Sequence, residues 1–71
     1  MPKLYSAKEI ETVLKSFGFI FLKQKGSHGK FKNEKGSVAI LPMNKKEIPL
    51  GTFRSILKQA SISLDEFKQR L

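Results

Sequence analysis

Apolar residues recur at helical spacing in the first part of the chain. Four of them fall at positions i, i+3, i+4 and i+7 of one helical face, namely Ile10, Val13, Leu14 and Phe17. Ser6 and Glu9 have the spacing of a capping box, in which each residue hydrogen-bonds to the backbone of the other. Gly18 follows the last apolar position, where glycine commonly ends a helix. The pattern predicts a first helix over about residues 6–17.

Three segments of strand-like composition come next. Residues 19–22 are an apolar run rich in aromatic and β-branched side chains. Residues 28–33 and 37–41 follow after short turn sequences that contain glycine. Connections this short join neighbouring antiparallel strands. Pro42 has no backbone N–H to donate to a ladder, so it should end the sheet.

A second apolar stripe and a second capping box lie in the last third of the chain. The stripe consists of Phe53, Ile56, Leu57 and Ala60. The box pairs Ser63 with Glu66 and begins a short C-terminal helix. A three-stranded antiparallel sheet with two amphipathic helices favours an α+β two-layer sandwich, with both main helices on one face of the sheet. A length of 71 residues predicts a single domain over residues 1–71.

The second strand has a clear alternation. Phe31 is suited to a core, whereas Lys30 and Lys32 cannot be buried without a partner. His28 has the same parity as the two lysines, so it should face solvent with them. The first and third strands have apolar residues at consecutive positions, and the pattern leaves open which set faces inward. An exposed apolar set would suit base stacking or a protein partner.

Positive charge is concentrated in the middle of the chain. Fourteen Lys and Arg residues against six Asp and Glu residues give a net charge of +8. Residues 23–46 contain many lysines and a single acidic residue, Glu34. Such a field predicts a polyanionic partner, either nucleic acid or an acidic protein surface. The candidate phosphate contacts are Lys23, Lys25, Lys30, Lys32, Lys45, Lys46, Arg54 and Lys58.

The residue inventory argues against several kinds of chemistry. The chain has no cysteine, one histidine and few acids, so a disulfide, a thiol nucleophile and a structural zinc site are not expected. No apolar run has the length of a signal peptide or a membrane span. We therefore expect a soluble cytoplasmic protein without a metal or a small-molecule cofactor.

A single histidine surrounded by lysines is a set of groups suited to cleaving RNA without a metal ion. The 2′-hydroxyl of the substrate supplies the nucleophile, His28 could move protons, and lysines could stabilise the anionic phosphorane. Gly26 would permit close approach of an RNA backbone, and Ser27 is more often a turn residue than a catalytic one. From composition and spacing alone, a plain nucleic-acid-binding module is favoured over an enzyme.

Two motifs are specific when they occur together. The first is Gly-Ser-His followed by a strand phenylalanine, and the second is a Pro-x-Gly-Thr helix start. The matching residues are Gly18-Phe19, Gln24-Lys25-Gly26-Ser27-His28, Phe31, Ile48-Pro49-Leu50-Gly51-Thr52-Phe53 and Ile56-Leu57-Lys58-Gln59-Ala60. With these motifs the chain resembles the HicA family of toxins, small mRNA interferases of toxin–antitoxin pairs. The family fold is similar to a double-stranded-RNA-binding domain, which has the element order predicted above.

The resemblance implies an activity and a partner. In the family pattern, His28 is the catalytic residue of an endoribonuclease that cleaves mRNA and inhibits translation, as the toxin of a type II toxin–antitoxin system. A HicB-type antitoxin is expected to cover the site. This chain has Gly29, Lys30 and Met43 where many members have further histidines. The alternative functions are a non-catalytic RNA-binding module of double-stranded-RNA-binding type and an interaction protein that docks an acidic partner.

Overall fold

The computed structural model describes residues 3–71. Along the chain it contains α1 (Ala7–Ser16), β1 (Ile20–Lys25), β2 (His28–Lys32), β3 (Val38–Pro42), α2 (Leu50–Ala60) and α3 (Leu64–Gln69). The strands form one antiparallel sheet in the order β1-β2-β3. The predicted α+β class and element order are confirmed. No helix within residues 3–71 is long and apolar enough to cross a membrane.

Both ends of α1 are formed by the residues that the sequence indicated. The Ser6 hydroxyl accepts a hydrogen bond from the Glu9 N–H at 3.0 Å, and the Glu9 carboxylate accepts one from the Ser6 N–H at 2.9 Å. At the other end Gly18 has a φ of +88°, a left-handed conformation that costs glycine least. The Phe19 N–H donates back to the Leu14 carbonyl at 3.1 Å, which directs the chain into β1.

The first strand differs from its prediction at both ends. The apolar run predicted residues 19–22, but β1 continues to Lys25, and Phe19 is buried ahead of the strand. The polar end of β1 pairs with β2 as far as the pair of Lys25 and His28. Strand pairing is made by backbone N–H and C=O groups, so the polarity of the side chains does not mark where this strand stops.

The core lies between the sheet and the helices. Phe31, Ala39 and Leu41 project into it from β2 and β3, and all three are fully buried. The apolar stripes of α1 and α2 belong to the same buried cluster. Both main helices therefore cover one face of the sheet, as predicted, and the other face is left to solvent.

An aromatic cluster attaches α3 to this core. The Tyr5 ring lies 5.2 Å from that of Phe53 and 4.9 Å from that of Phe67, measured between centroids. Phe67 comes from α3 and is almost completely buried. The Arg70 guanidinium lies over the Phe17 ring at 4.3 Å and donates to a carbonyl at the end of α1. The C-terminal segment thus contacts the aromatic cluster through Phe67 and the end of α1 through Arg70.

Gly29 faces the core from the interior of β2. A β-carbon built on it would lie 2.9 Å from Met43 Sδ and 3.3 Å from Phe21 Cε1. Its φ is not positive, so the glycine is required by space rather than by backbone conformation. The neighbouring Phe21 ring packs edge-on against Phe31, with centroids 5.5 Å apart, which limits how far it can move aside.

We expect Gly29→Val to lower the free energy of unfolding by about 1–3 kcal/mol, because the side chain overpacks this site. Adding Met43→Ala should restore part of the loss, since it removes the sulfur that a new side chain would meet. Urea denaturation of the single and double variants measures both effects.

Gly51→Ala is the matched control. A β-carbon at Gly51 meets nothing within 4 Å, and this residue is helical. The free energy of unfolding should rise by about 0.5–1 kcal/mol there. Equal destabilisation at positions 29 and 51 would contradict the steric account.

The capping box of α1 should make stability depend on pH. The hydrogen bond from the Ser6 N–H is the main cause that lowers the pKa of Glu9 below its ordinary value. Because the folded-state pKa is the lower one, the stabilisation is present above the unfolded-state pKa, about 4.3, and is lost as the pH falls through the folded-state value. Thermal midpoints measured from pH 7 to 2 should fall less steeply in acid for Glu9→Gln than for the wild type. Superimposable profiles would contradict this.

Candidate nucleic-acid interface

A β-bulge in β1 decides which of its side chains face solvent. Phe21 pairs with Phe31, and the next paired residue is Lys23, opposite Lys30, so Leu22 is left without a partner. In a regular strand Phe21 and Lys23 would lie on the same face. The extra residue reverses the alternation, and Lys23 lies on the outer face while Phe21 lies on the inner one.

The reversal gathers one histidine and three lysines on the outer face of the sheet. Lys25 lies opposite His28, and Lys23 lies opposite Lys30. On the other side of β2, Lys30 lies opposite Ile40. These five residues line a concavity of about 430 Å³, which we call the histidine–lysine concavity. His28 is exposed within it, as the phase of the second strand predicted.

The turn that precedes His28 depends on one glycine conformation and two hydrogen bonds. Gly26 has a φ of +59°, which supplies the left-handed residue that a two-residue hairpin needs. The Gln24 side-chain amide donates to the Gly26 carbonyl at 2.9 Å. The Met43 N–H donates to the Ser27 carbonyl at 2.6 Å and ties the turn to the end of β3. Ser27 contributes here through its backbone, which agrees with a turn residue.

The positive charges of the concavity have no acidic partners among the described residues. The two ion pairs found in residues 3–71 join Lys3 to Glu9 and Lys15 to Glu11, both at α1. Lysines that are not neutralised within the protein attract anionic groups from solution. No three His, Cys, Asp or Glu side chains of residues 3–71 are close enough together to hold a metal ion.

The other predicted cations lie apart from this concavity. Lys32 is on the outer face, opposite Ile20 and one row further along the sheet. Lys45 and Lys46 line a separate concavity of about 530 Å³ beside the start of α1. Arg54 lines another of about 360 Å³ in the helix layer, with Lys3 and Lys68. Lys58 is exposed on α2, in the same layer. The structure therefore brings together only the first three of the eight predicted phosphate contacts.

Sequence reasoning missed the aliphatic part of the outer face. Pairing places Ile20 and Val38 on that face beside Lys32, while Phe21 and Phe31 point inward. Because the apolar residues of β1 are consecutive, the sequence does not indicate which of them face the core. A bulge, which reverses the alternation, also has no clear sequence signal. Both strand phenylalanines lie on the inner face, where Phe31 is buried and Phe21 is 43% exposed. The outer face therefore offers aliphatic side chains rather than phenyl rings to a partner.

Two comparisons with known proteins bear on the chain as a whole. Residues 7–62 match a family model described as the HicA toxin of bacterial toxin–antitoxin systems. No curated protein matches the chain significantly. The matched residues extend from the start of α1 past the end of α2, so they include the whole histidine–lysine concavity.

We expect Lys25→Ala to weaken binding of a short single-stranded RNA more than Arg54→Ala does. Both residues are exposed cations, but only Lys25 lines the histidine–lysine concavity. Loss of one phosphate contact should reduce the slope of log affinity against log salt concentration by about 0.7. Fluorescence anisotropy at several salt concentrations measures this slope. Equal effects of the two substitutions would contradict binding centred on the histidine–lysine concavity.

Proposed function

The chain belongs to the HicA family of toxins from bacterial toxin–antitoxin systems, and we propose that it is an endoribonuclease that cleaves mRNA without a metal ion and so inhibits translation. The observation that supports this most directly is the position of His28. It stands exposed at the start of β2, in a concavity lined by three lysines that have no acidic partners in residues 3–71. A group that transfers protons and nearby cations that stabilise the phosphorane together suit metal-free cleavage of RNA.

The proposed reaction uses the RNA's own nucleophile. Neutral His28 takes the proton of a 2′-hydroxyl, whose oxygen attacks the adjacent phosphorus. The bond from the 2′-oxygen to phosphorus forms, and the bond from phosphorus to the 5′-oxygen breaks. The products are a 2′,3′-cyclic phosphate and a 5′-hydroxyl, with water supplying the proton of the leaving oxygen.

The lysines act on the charge that develops during the reaction. Lys30 lies two residues from His28 on the same face of β2, and Lys23 is its partner across the strand pair. Their ammonium groups can approach the non-bridging oxygens of a phosphate held at His28 and stabilise the phosphorane. Lys25 pairs with His28 across the strands, and we assign it to a neighbouring phosphate of the same RNA strand.

Membership of the family implies a cognate antitoxin. We assign it to the HicB type and place it over the histidine–lysine concavity, where it would exclude mRNA. Since the substrate is mRNA, the protein acts in the cytoplasm.

A second candidate is an RNA-binding module that does not cleave. The concavity contains one imidazole and no second group of that kind, because His28 is the only histidine of the chain. Three lysines around it would bind an RNA backbone without any proton transfer.

We expect His28→Ala to reduce RNA cleavage by about 100-fold or more and to abolish growth inhibition, because the proton-transfer group is removed. RNA affinity and the thermal midpoint should change little, since His28 is exposed. Cleavage by the wild type should continue in the presence of a chelator and leave cyclic phosphate ends.

Ser27→Ala is the control variant, and it should retain activity because Ser27 is held through its carbonyl. Equal growth inhibition by the wild type and His28→Ala would rule out the catalytic role. RNA binding by the wild type without cleavage would favour the non-catalytic module.

A further inference from the structure

The outer face of the sheet has an aliphatic half next to the cationic one. Its members are outward-facing side chains of β1 and β3, which we call the aliphatic patch: Ile20, Leu22, Val38 and Ile40. Ile20 is 61% exposed, Leu22 46% and Ile40 37%. Leu22 lines a shallow concavity of about 260 Å³ with Ile20 and Lys32. The patch is thus an exposed surface rather than part of the core.

The patch is continuous with the histidine–lysine concavity. Ile40 lines that concavity, and Lys30 and Lys32 are successive outward residues of β2. The row of Ile20, Lys32 and Val38 therefore lies next to the row of Lys23, Lys30 and Ile40. A protein partner that covers the concavity on the outer face of the sheet therefore also contacts the patch.

RNA and a second copy of the chain are poor occupants of this surface. Single-stranded RNA gains affinity from phosphate contacts and from flat aromatic rings on which bases stack, and the patch is aliphatic. A second copy also has a net charge of +8 and would bring its own lysines towards those of the first. A protein segment with apolar side chains flanked by carboxylates matches both halves of the face.

We infer that the cognate antitoxin anchors on the aliphatic patch through apolar side chains, while its carboxylates meet the lysines of the concavity. The inference rests on the proposed function in so far as covering the concavity then blocks RNA cleavage. The bulge at Leu22 interrupts the free edge of β1, and at the free edge of β3 the Ile40 N–H already donates to the Gln59 side chain at 3.0 Å. Docking therefore uses the side chains of the outer face rather than addition of a strand. Anchoring and RNA cleavage are therefore separable at Ile20 and Leu22, which belong to the patch and do not line the concavity.

Leu22→Ser and Leu64→Ser form a matched pair for the test. Both leucines are 46% exposed, but Leu64 lies on α3, in the helix layer. The variants, with Ile20→Ser as a second patch substitution, are made in the His28→Ala chain, and their affinity for the purified cognate antitoxin is measured by calorimetry. Leu22→Ser and Ile20→Ser should each weaken binding by about tenfold or more, and Leu64→Ser by less than about twofold.

A second readout separates anchoring from cleavage. With His28 intact, Leu22→Ser should inhibit growth as the wild type does, but co-expressed antitoxin should no longer restore growth. Affinity for a short RNA should be unchanged. Circular dichroism checks that each variant is folded, which is expected because the substituted side chains are exposed.

Three results would overturn the inference. The first is that Leu22→Ser and Leu64→Ser weaken antitoxin binding equally, or that neither weakens it. Another is a loss of RNA affinity in Leu22→Ser, which would assign the patch to RNA. The third is that the chain alone forms a dimer in analytical ultracentrifugation and that Leu22→Ser dissociates it. That result would assign the patch to a second copy of the chain. Because the calorimetry involves no cleavage, it tests the patch even if His28 proves not to be catalytic.

Discussion

The unpaired residue in β1 determines what the outer face of the sheet can do. Up to Phe21 the strand points its aromatic side chain inward, and after Leu22 it points lysines outward. A regular strand could satisfy only one of these demands, because residues 21, 23 and 25 would share a face. Either the lysines would be driven towards the core or the Phe21 ring would leave Phe31. The bulge removes this conflict and places two cations beside His28.

Packing on the inner face keeps position 29 out of the histidine–lysine concavity. Position 29 faces the core, where Met43 and Phe21 occupy the space that a side chain would need. A histidine at position 29 would therefore not line the concavity of this chain. Position 30 does line it, and the residue there is lysine. The site thus has one group suited to proton transfer and three suited to electrostatic stabilisation of a phosphate.

The histidine–lysine concavity is supported by the core beneath the sheet and by the hairpin at its end. Phe31 anchors β2 in the core, in the same buried cluster as the apolar stripes of α1 and α2. The hairpin before His28 is fixed by the Gln24 amide and by the Met43 N–H, and neither bond uses the imidazole or the lysines. The charged side chains are therefore free to contact a ligand. The aliphatic residues beside them extend the same surface towards a protein partner.

The sequence determined much of this protein by itself. Two capping boxes, two helical stripes and short turns are local signals, and they predicted the helices, the strand order and the α+β class. The alternation of β2 also placed His28 on the solvent side, because Phe31 is apolar and its neighbours are charged. The proposal that His28 is catalytic rests on the family motifs, because composition alone favoured a binding module.

Only the tertiary structure decided which residues join His28. The phase of β1 depends on pairing with β2 across the bulge at Leu22, and consecutive apolar residues do not encode it. Arg54 and Lys58 look equivalent to Lys23 and Lys25 in the sequence, yet they belong to the helix layer. Charge can be counted along a chain, but proximity depends on strand register and layer packing, which arise from contacts between distant segments.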